Sequence, residues 1–151
     1  MLKLLKEEKK LLGTIITNDL KWEANTSFLV RKANSRMQLL GKCVTFTKKI
    51  EELRNIYIIF IRSNLEQSCV LWHSSLTLED SNNLERVQKS SLRIILQEDY
   101  EDYEKILQQV NLQSLYERRI SLCKNVATNT ARQERLHTLF PHNYNNPLSK
   151  T

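Results

Sequence analysis

The chain has 151 residues, a length typical of one domain, and its 40% hydrophobic and 26% charged content excludes wholesale disorder. Glycine and proline occur only twice each, which disfavours a β-sandwich or β-barrel because the many turns of those folds need both residues. The formal net charge is +6, and residues 21–65 hold nine basic and three acidic groups. Such a zone favours a polyanionic partner, although many soluble proteins without one are equally basic.

The first predicted element is a short strand at residues 11–17, in which a glycine and a β-branched cluster precede a turn signal, Asn18-Asp19. No convincing partner strand is found in the sequence, so residues 1–22 are interpreted as a charged start followed by the strand remnant of a larger sheet. An unpaired strand predicts self-association through its exposed edge.

From residue 23 the hydrophobic period becomes helical. An amphipathic helix is predicted over 23–44, and a second helix, apolar on nearly all sides, runs from a cap at Thr47 to about residue 65. Residues 69–72 either extend this second helix or form a short separate piece. Its apolar character predicts that the second helix is the central, buried one.

Three more helices complete the predicted bundle. One starts near the cap Thr77, a short one spans 100–110, and the last opens with a capping box formed by Ser114 and Glu117. The predicted fold is therefore all-α, a bundle of about five helices over 23–130 with a short N-terminal β-strand remnant and a loose tail at 131–151. The predicted core, with Trp72 also largely buried, comprises Leu29, Ala33, Met37, Leu40, Leu53, Tyr57, Phe60, Ile61, Leu84, Val87, Ile94, Leu107 and Leu122.

Residues that could carry chemistry are sparse. Adjacent carboxylates on a helix point about 100° apart, so the acidic pairs do not converge on a metal. The histidines occur in no HExxH motif and accompany no CxxC motif, and two glycines are too few for a glycine-rich phosphate-binding loop. The sequence predicts no catalytic residue, no metal site and no cofactor.

The expected location is intracellular, in the nucleus or cytoplasm. Cys43, Cys69 and Cys123 are too widely spaced for a zinc ribbon, and their odd number argues against a disulfide framework, which fits a reducing compartment. The start shows no secretory signal, and the most apolar run, 56–61, is far shorter than a bilayer span. No membrane partner is expected.

Four groups of local strings follow one another along the chain. They are Leu12-Gly13-x-Ile15-Ile16-x-Asn18-Asp19-Leu20-Lys21-Trp22, Arg62-x-x-Leu65-Glu66 with Trp72-His73, Leu84-Glu85-Arg86-Val87-Gln88-Lys89-x-x-Leu92-Arg93-Ile94-Ile95, and Tyr103-x-x-x-Leu107 with Leu115-x-Glu117-Arg118-Arg119. Their order resembles the end of the palm and the following thumb-like region of Jockey-type LINE (non-LTR) reverse transcriptases. The resemblance covers roughly residues 11–140, and it implies a thumb-like helical region that would hold a template–primer duplex.

The departures from that family bear on activity. The family's metal-binding aspartates precede the first string, whereas the residues before Gly13 contain no Asp. Thr17 stands where the family often has Asp, and Ser63 where it commonly has Pro. The resemblance therefore implies a chain that is not an enzyme by itself. The origin that it implies is a decayed or truncated element, or a host reading frame derived from one.

Two basic helix faces are the candidate nucleic-acid-binding sites, because long cationic side chains contact backbone phosphates without reading bases. The alternative is that both are plain solvated faces. Arg118 and Arg119 are expected to pair with Glu101 or Glu104 and so join the last two helices. The first face comprises Arg31, Arg36 and Lys42 with Lys32, Lys48 and Lys49 nearby, and the second comprises Arg86, Lys89 and Arg93.

Two functions stay open at this point. The first is a non-catalytic reverse transcriptase fragment with weak, sequence-independent affinity for RNA or DNA duplex. The second is a helical protein-interaction module, or an unselected transposon relic, with no role in nucleic-acid binding.

Overall fold

A β-hairpin begins the described part of the chain. The structure is a computed structural model that describes residues 8–133 and, at Glu98, the backbone alone. Strands β1 (Glu8–Leu11) and β2 (Thr14–Thr17) pair antiparallel. The two residues between them, Leu12 and Gly13, have positive φ of 48° and 84°. This combination matches the twist of a tight hairpin.

Gly13 also joins the hairpin to the helices. A Cβ at this position would lie 2.2 Å from Nε2 of Gln67, and that amide donates a hydrogen bond of 3.1 Å to the carbonyl of Leu12. Glycine is therefore required for its backbone conformation, whereas a Cβ would only displace the flexible end of the Gln67 side chain and its hydrogen bond.

The prediction of a lone strand without a partner is wrong. Its partner is β1, whose four residues are all exposed, so β1 lacks the alternation by which a half-buried strand is recognised. The outer edge of β2 is covered at Ile15, whose N–H donates to Oδ1 of Asn25 at 3.0 Å. Within residues 8–133, no strand pairs with the outer edge of β1, and self-association through that edge stays a prediction.

Six α-helices follow within the described residues, which confirms a mainly α-helical fold with a short N-terminal β element. The second is a composite helix, α2 (residues 50–65), in which a π-helical turn Tyr57–Arg62 separates Ile50–Ile56 from Ser63–Leu65. It starts three residues after Thr47, the predicted cap. The other helices are α1 (Glu23–Phe46), α3 (Cys69–Trp72), α4 (Leu78–Leu96), α5 (Tyr103–Gln109) and α6 (Leu115–Arg132).

Two predicted helix starts are confirmed by their caps. Thr77 Oγ1 accepts from the backbone N–H of Asp80 at 3.1 Å and so begins α4. Ser114 Oγ accepts from the N–H of Glu117 at 3.2 Å, and the Glu117 carboxylate accepts from the N–H of Ser114 at 3.3 Å. These reciprocal bonds satisfy N–H groups that the first turn of a helix leaves without partners.

The core lies between α1, α2 and α4, and Trp72 is fully buried in it as predicted. Met37, Ile94 and Leu122 pack against it but are only partly buried. The other buried members of the predicted core are Leu29, Ala33, Leu40, Leu53, Tyr57, Ile61, Leu84, Val87 and Leu107.

The prediction that Phe60 is a core residue is wrong, since 48% of it is exposed. Phe60 lies in the π-helical turn, where hydrogen bonds run from i to i+5 and the wider turn changes which positions share a face. Tyr57 and Ile61 face the core there, and Phe60 faces outward.

A buried polar network crosses the bundle at Gln88. The hydroxyl of Tyr57 donates to Gln88 Oε1 at 2.6 Å. Gln88 Nε2 in turn donates to the Tyr103 hydroxyl at 2.8 Å and to the carbonyl of Gln113 at 3.0 Å. The network therefore fixes α2, α4, α5 and the segment before α6 relative to one another. Within residues 8–133, every helix falls short of the length or the apolar character that a membrane span needs.

Candidate nucleic-acid interface

The first turns of α1 and α4 are fastened together by a buried carboxylate. Oδ1 of Asp80 accepts from the hydroxyl of Thr26 at 2.8 Å, and Oδ2 accepts from the hydroxyl of Thr77 at 2.6 Å. Asp80 is buried, and each of its carboxylate oxygens accepts from one of these hydroxyls. This contact sets the side-by-side placement of the two helices that carry the predicted basic faces.

A groove of about 330 Å³ runs between α1 and α4. Among the described residues, its lining contains one charged side chain, that of Arg86, and no carboxylate. The uncharged polar groups along it can donate to and accept from an anion or its water. The lining residues are Thr26, Ser27, Val30, Asn34, Asn83, Arg86, Val87 and Ser90.

Cations stand on both helices that form this groove. Arg86 is exposed, and its guanidinium donates to Oδ1 of Asn83 at 3.0 Å. Arg31 is exposed one helical turn after Ser27, a groove residue. Lys42, also exposed, follows Arg31 by three turns on the same side of α1. The structure thus places Arg31 and Lys42 on one helix and Arg86 on the other.

The basic face of α4 continues away from the groove over two tyrosine rings. Nζ of Lys89 lies 4.8 Å from the ring centre of Tyr103, and the guanidinium of Arg93 lies 4.9 Å from that of Tyr100. Cation–π contacts of this kind hold the charges in place while leaving them close to solvent. Arg86, Lys89 and Arg93 therefore form one continuous stripe.

The grouping of Arg36 with Arg31 and Lys42 is wrong. Arg31 and Arg36 are five positions apart and so point about 140° apart around α1. Arg36 is half-buried on the side facing α2, where it donates to the carbonyl of Phe60. Lys32 lies on that side too, with Nζ 5.9 Å from the ring centre of Phe28.

Lys48 and Lys49, between α1 and α2, contribute little to the groove. Both are exposed, and Nζ of Lys49 is paired with Oε1 of Glu52 at 3.0 Å. The hydroxyl of Thr47, which donates to the same carboxylate, and the lysine hold the pKa of Glu52 below its usual value.

The expected pairing of Arg118 and Arg119 with Glu101 or Glu104 is wrong. Nε of Arg118 lies 3.3 Å from Oε1 of Glu66, at the end of α2. Arg119 is fully buried, and it donates to Nδ1 of His73 at 3.3 Å and to the hydroxyl of Ser81 at 2.9 Å. The two arginines therefore tie α6 to the region of α2, α3 and α4, because α6 packs there and not along α5.

His73 is held in its neutral form by this arrangement. Its Nδ1 accepts from Arg119, so the ring proton belongs on Nε2. Burial, and then the neighbouring guanidinium, lower the pKa of His73 from its ordinary 6.5. Burial also lowers the pKa of Arg119, which still stays protonated at neutral pH.

The stability of the protein should therefore fall when His73 must take up a proton. Its folded-state pKa lies below 6.5, so the unfolded chain binds more protons as the pH drops below 6.5, and the free energy of unfolding decreases. We expect His73→Asn, whose Oδ1 can accept from Arg119, to flatten this decrease between about pH 7 and pH 5. Urea denaturation of both proteins across that range measures it, and equal slopes would contradict the assignment.

Of the three cysteines, Cys69 belongs to the core, and Cys43 and Cys123 are half-buried. Burial raises the pKa of the Cys69 thiol to about 11, which disfavours a thiolate nucleophile. Among residues 8–133, no three or more His, Cys, Asp or Glu side chains come together as metal ligands would. No protein-family model matches the chain, and neither a curated protein nor a solved structure matches it.

Proposed function

We propose that this chain is a non-catalytic helical module, derived from a retrotransposon reverse transcriptase, that binds the backbone of RNA or DNA duplex without regard to sequence. The observation that carries the proposal is the groove between α1 and α4. Exposed cations lie on both of its helices, and among the described residues its lining contains no carboxylate to repel a phosphate. The proposed binding surface is the groove with Arg86, together with Arg31 and Lys42 on α1 and the stripe of Lys89 and Arg93 that extends from Arg86 along α4.

Such a surface suits phosphates better than bases. Its cations lie on solvated helix faces, where long side chains reach backbone oxygens from many directions. Contacts to backbone phosphates carry no sequence information, so specificity is not expected. With about five contacts, binding should be weak and governed by counterion release.

The resemblance to LINE-type reverse transcriptases supplies the substrate class. The string that contains Arg86, Lys89 and Arg93 lies on α4, one wall of the groove. In that family the corresponding region follows the palm, and a thumb holds the template–primer duplex. The proposed surface is consistent with that task, and the proposal assigns no chemical step to this chain.

Fluorescence anisotropy of a labelled duplex over a salt series tests the proposal. Five phosphate contacts predict that log K falls with log salt concentration at a slope of about −4.5, for any duplex sequence. We expect the triple variant with Arg31→Gln, Arg86→Gln and Arg93→Gln to reduce the magnitude of this slope by about 2.7, which is the contribution of three phosphate contacts. The matched control neutralises three exposed cations elsewhere, Lys105→Gln, Lys124→Gln and Arg132→Gln, and should change the slope little.

Two results would contradict the proposal. Absence of binding at the lowest salt would favour a protein-interaction module or an unselected relic. Equal losses in the groove variant and the control would show that only net charge matters and that the groove is not the site.

Primer extension with Mg²⁺ is expected to give no product, and a product would contradict the non-catalytic assignment.

A further inference from the structure

A second pocket, separate from the groove, is lined by three arginines. Its volume is about 510 Å³, and it lies between α2 and the segment that leads into α6. Arg54 and Arg62 come from α2, and Arg118 comes from the first turn of α6. Glu66 is the one carboxylate in its lining, and none of its lining residues borders the groove.

The positive charge of this pocket is not balanced. Oε1 of Glu66 lies 2.8 Å from Nε of Arg62 and 3.3 Å from Nε of Arg118, so one carboxylate oxygen serves two guanidiniums. Arg54 makes no ion pair with any carboxylate in the described part of the chain. Three cations against one anion leave a local excess of two positive charges.

The arginines also have hydrogen-bond donors to spare. The side chain of Arg62 is only 8% exposed. Its further contact is a long one of 3.5 Å to the carbonyl of Gln113. Arg54 donates from one terminal nitrogen to the carbonyl of Asn111 at 3.1 Å, while its Nε is buried and has no partner. A guanidinium carries five N–H groups, and leaving one buried without an acceptor is unfavourable.

An ion-pair cluster that merely fastens α6 to α2 accounts for part of this arrangement. It explains why Arg62, Glu66 and Arg118 meet. It does not explain why Arg54, with an unpartnered Nε, lines the same pocket. An acceptor with several oxygens and negative charge would satisfy the remaining terminal N–H donors of these arginines and balance the excess charge together.

We propose that this pocket binds a phosphate monoester group. Guanidinium forks match phosphate oxygens in pairs, and a dianion balances an excess of two positive charges. A volume of about 510 Å³ is within the range of small-ligand sites and admits more than the phosphate alone. The proposal goes beyond duplex binding in the groove, because a backbone phosphodiester carries one charge and a terminal phosphate carries up to two.

Titration of the full chain with inorganic phosphate, at constant ionic strength set with sodium chloride, is the first experiment. The Nε–H resonances of the arginines in two-dimensional NMR report binding directly. We expect saturable shifts that include the signal of Arg54, and about tenfold weaker binding in Arg54→Gln, the cost of one charged donor. Lys105→Gln, an exposed cation outside the pocket, is the control and should bind as the unaltered chain does.

Glu66→Gln separates the proposal from a purely fastening role. Removing the carboxylate frees two guanidiniums and raises the local positive charge, so phosphate should bind several-fold more tightly. A cluster that only fastens helices predicts no change in phosphate affinity. Circular dichroism checks that each variant is folded. If Glu66→Gln is not folded, the comparison of phosphate binding by Arg54→Gln and Lys105→Gln decides whether the pocket binds phosphate.

The source of the phosphate is assigned by three further ligands. Adenosine monophosphate, a 5′-phosphorylated oligonucleotide and its unphosphorylated form are titrated under the same conditions. Tighter binding of either phosphorylated ligand than of inorganic phosphate identifies the larger ligand class. Unsaturable shifts with inorganic phosphate, or an Arg54→Gln variant with unchanged affinity, would overturn the proposal, whatever the outcome for duplex binding in the groove.

Discussion

We expect Trp72→Ala to lower the free energy of unfolding by about 3–5 kcal/mol, the usual cost of removing a large aromatic side chain from a core. Trp72 is fully buried in the cluster formed with α2 and α4. Its indole Nε1 donates to the carbonyl of Gln67 at 3.1 Å. The substitution therefore creates a cavity and also leaves a carbonyl without its donor.

Equilibrium urea denaturation followed by circular dichroism measures this loss. Trp72→Phe is the matched variant, because it keeps an aromatic ring in the core but cannot donate to Gln67. We expect it to cost about 1–2 kcal/mol, mainly the hydrogen bond and a small cavity. If Trp72→Ala costs no more than Trp72→Phe, the indole does not fill the centre of the core as the structure shows.

The helices could be predicted from sequence because their signals are local. A cap such as Thr77 or the pair Ser114 and Glu117 lies within four residues of the helix start that it fixes. The stripe of apolar residues along α1 repeats at the helical period. These are properties of single segments, and packing of the segments did not alter them.

The errors in the fold have identifiable causes. An α-helical period predicts that Phe60 lies in the core, but the residues form a π-helical turn, which the hydrophobic pattern does not reveal. β1 was missed because charged, exposed side chains conceal it and because Leu12-Gly13 is not a recognised hairpin pair such as Asn-Gly. Both errors concern backbone hydrogen bonding, which side-chain pattern records only indirectly.

The two candidate sites differ in the same way, because one follows from local spacing and the other depends on packing between distant segments. Arg86, Lys89 and Arg93 could be chosen from sequence because spacing alone places them on one side of a helix. The arginine pocket could not, because Arg54, Arg62 and Arg118 come from two distant segments and each by itself suggests an ordinary ion pair. Only packing of α6 against α2 brings them together, whereas the sequence suggested pairing of Arg118 with Glu101 or Glu104.

Glu85 is the second residue whose loss should have a large effect, and no local pattern in the sequence indicates its role. Its carboxylate accepts from the backbone N–H groups of Leu115 at 3.1 Å and Tyr116 at 3.2 Å, at the start of α6. It also accepts from the hydroxyl of Tyr103. One side chain of α4 thus caps α6 from outside and holds α5, while its charge interacts favourably with the helix dipole.

We expect Glu85→Ala to lower the free energy of unfolding by about 3 kcal/mol. Each hydrogen bond to a charged group contributes about 1.5–3 kcal/mol, but water replaces some of the bonds that the substitution removes. Glu85→Gln keeps an acceptor oxygen without the charge and should cost about half as much. Glu79→Gln, which alters an exposed carboxylate in the first turn of the same helix, is the control and should cost at most about 1 kcal/mol.

The same urea measurement gives these losses of stability, and amide hydrogen exchange adds a local test. Because Glu85 covers the N–H groups of Leu115 and Tyr116, those amides should exchange faster in Glu85→Ala than in Glu79→Gln. Unchanged exchange there would contradict the cap, even if the overall stability fell.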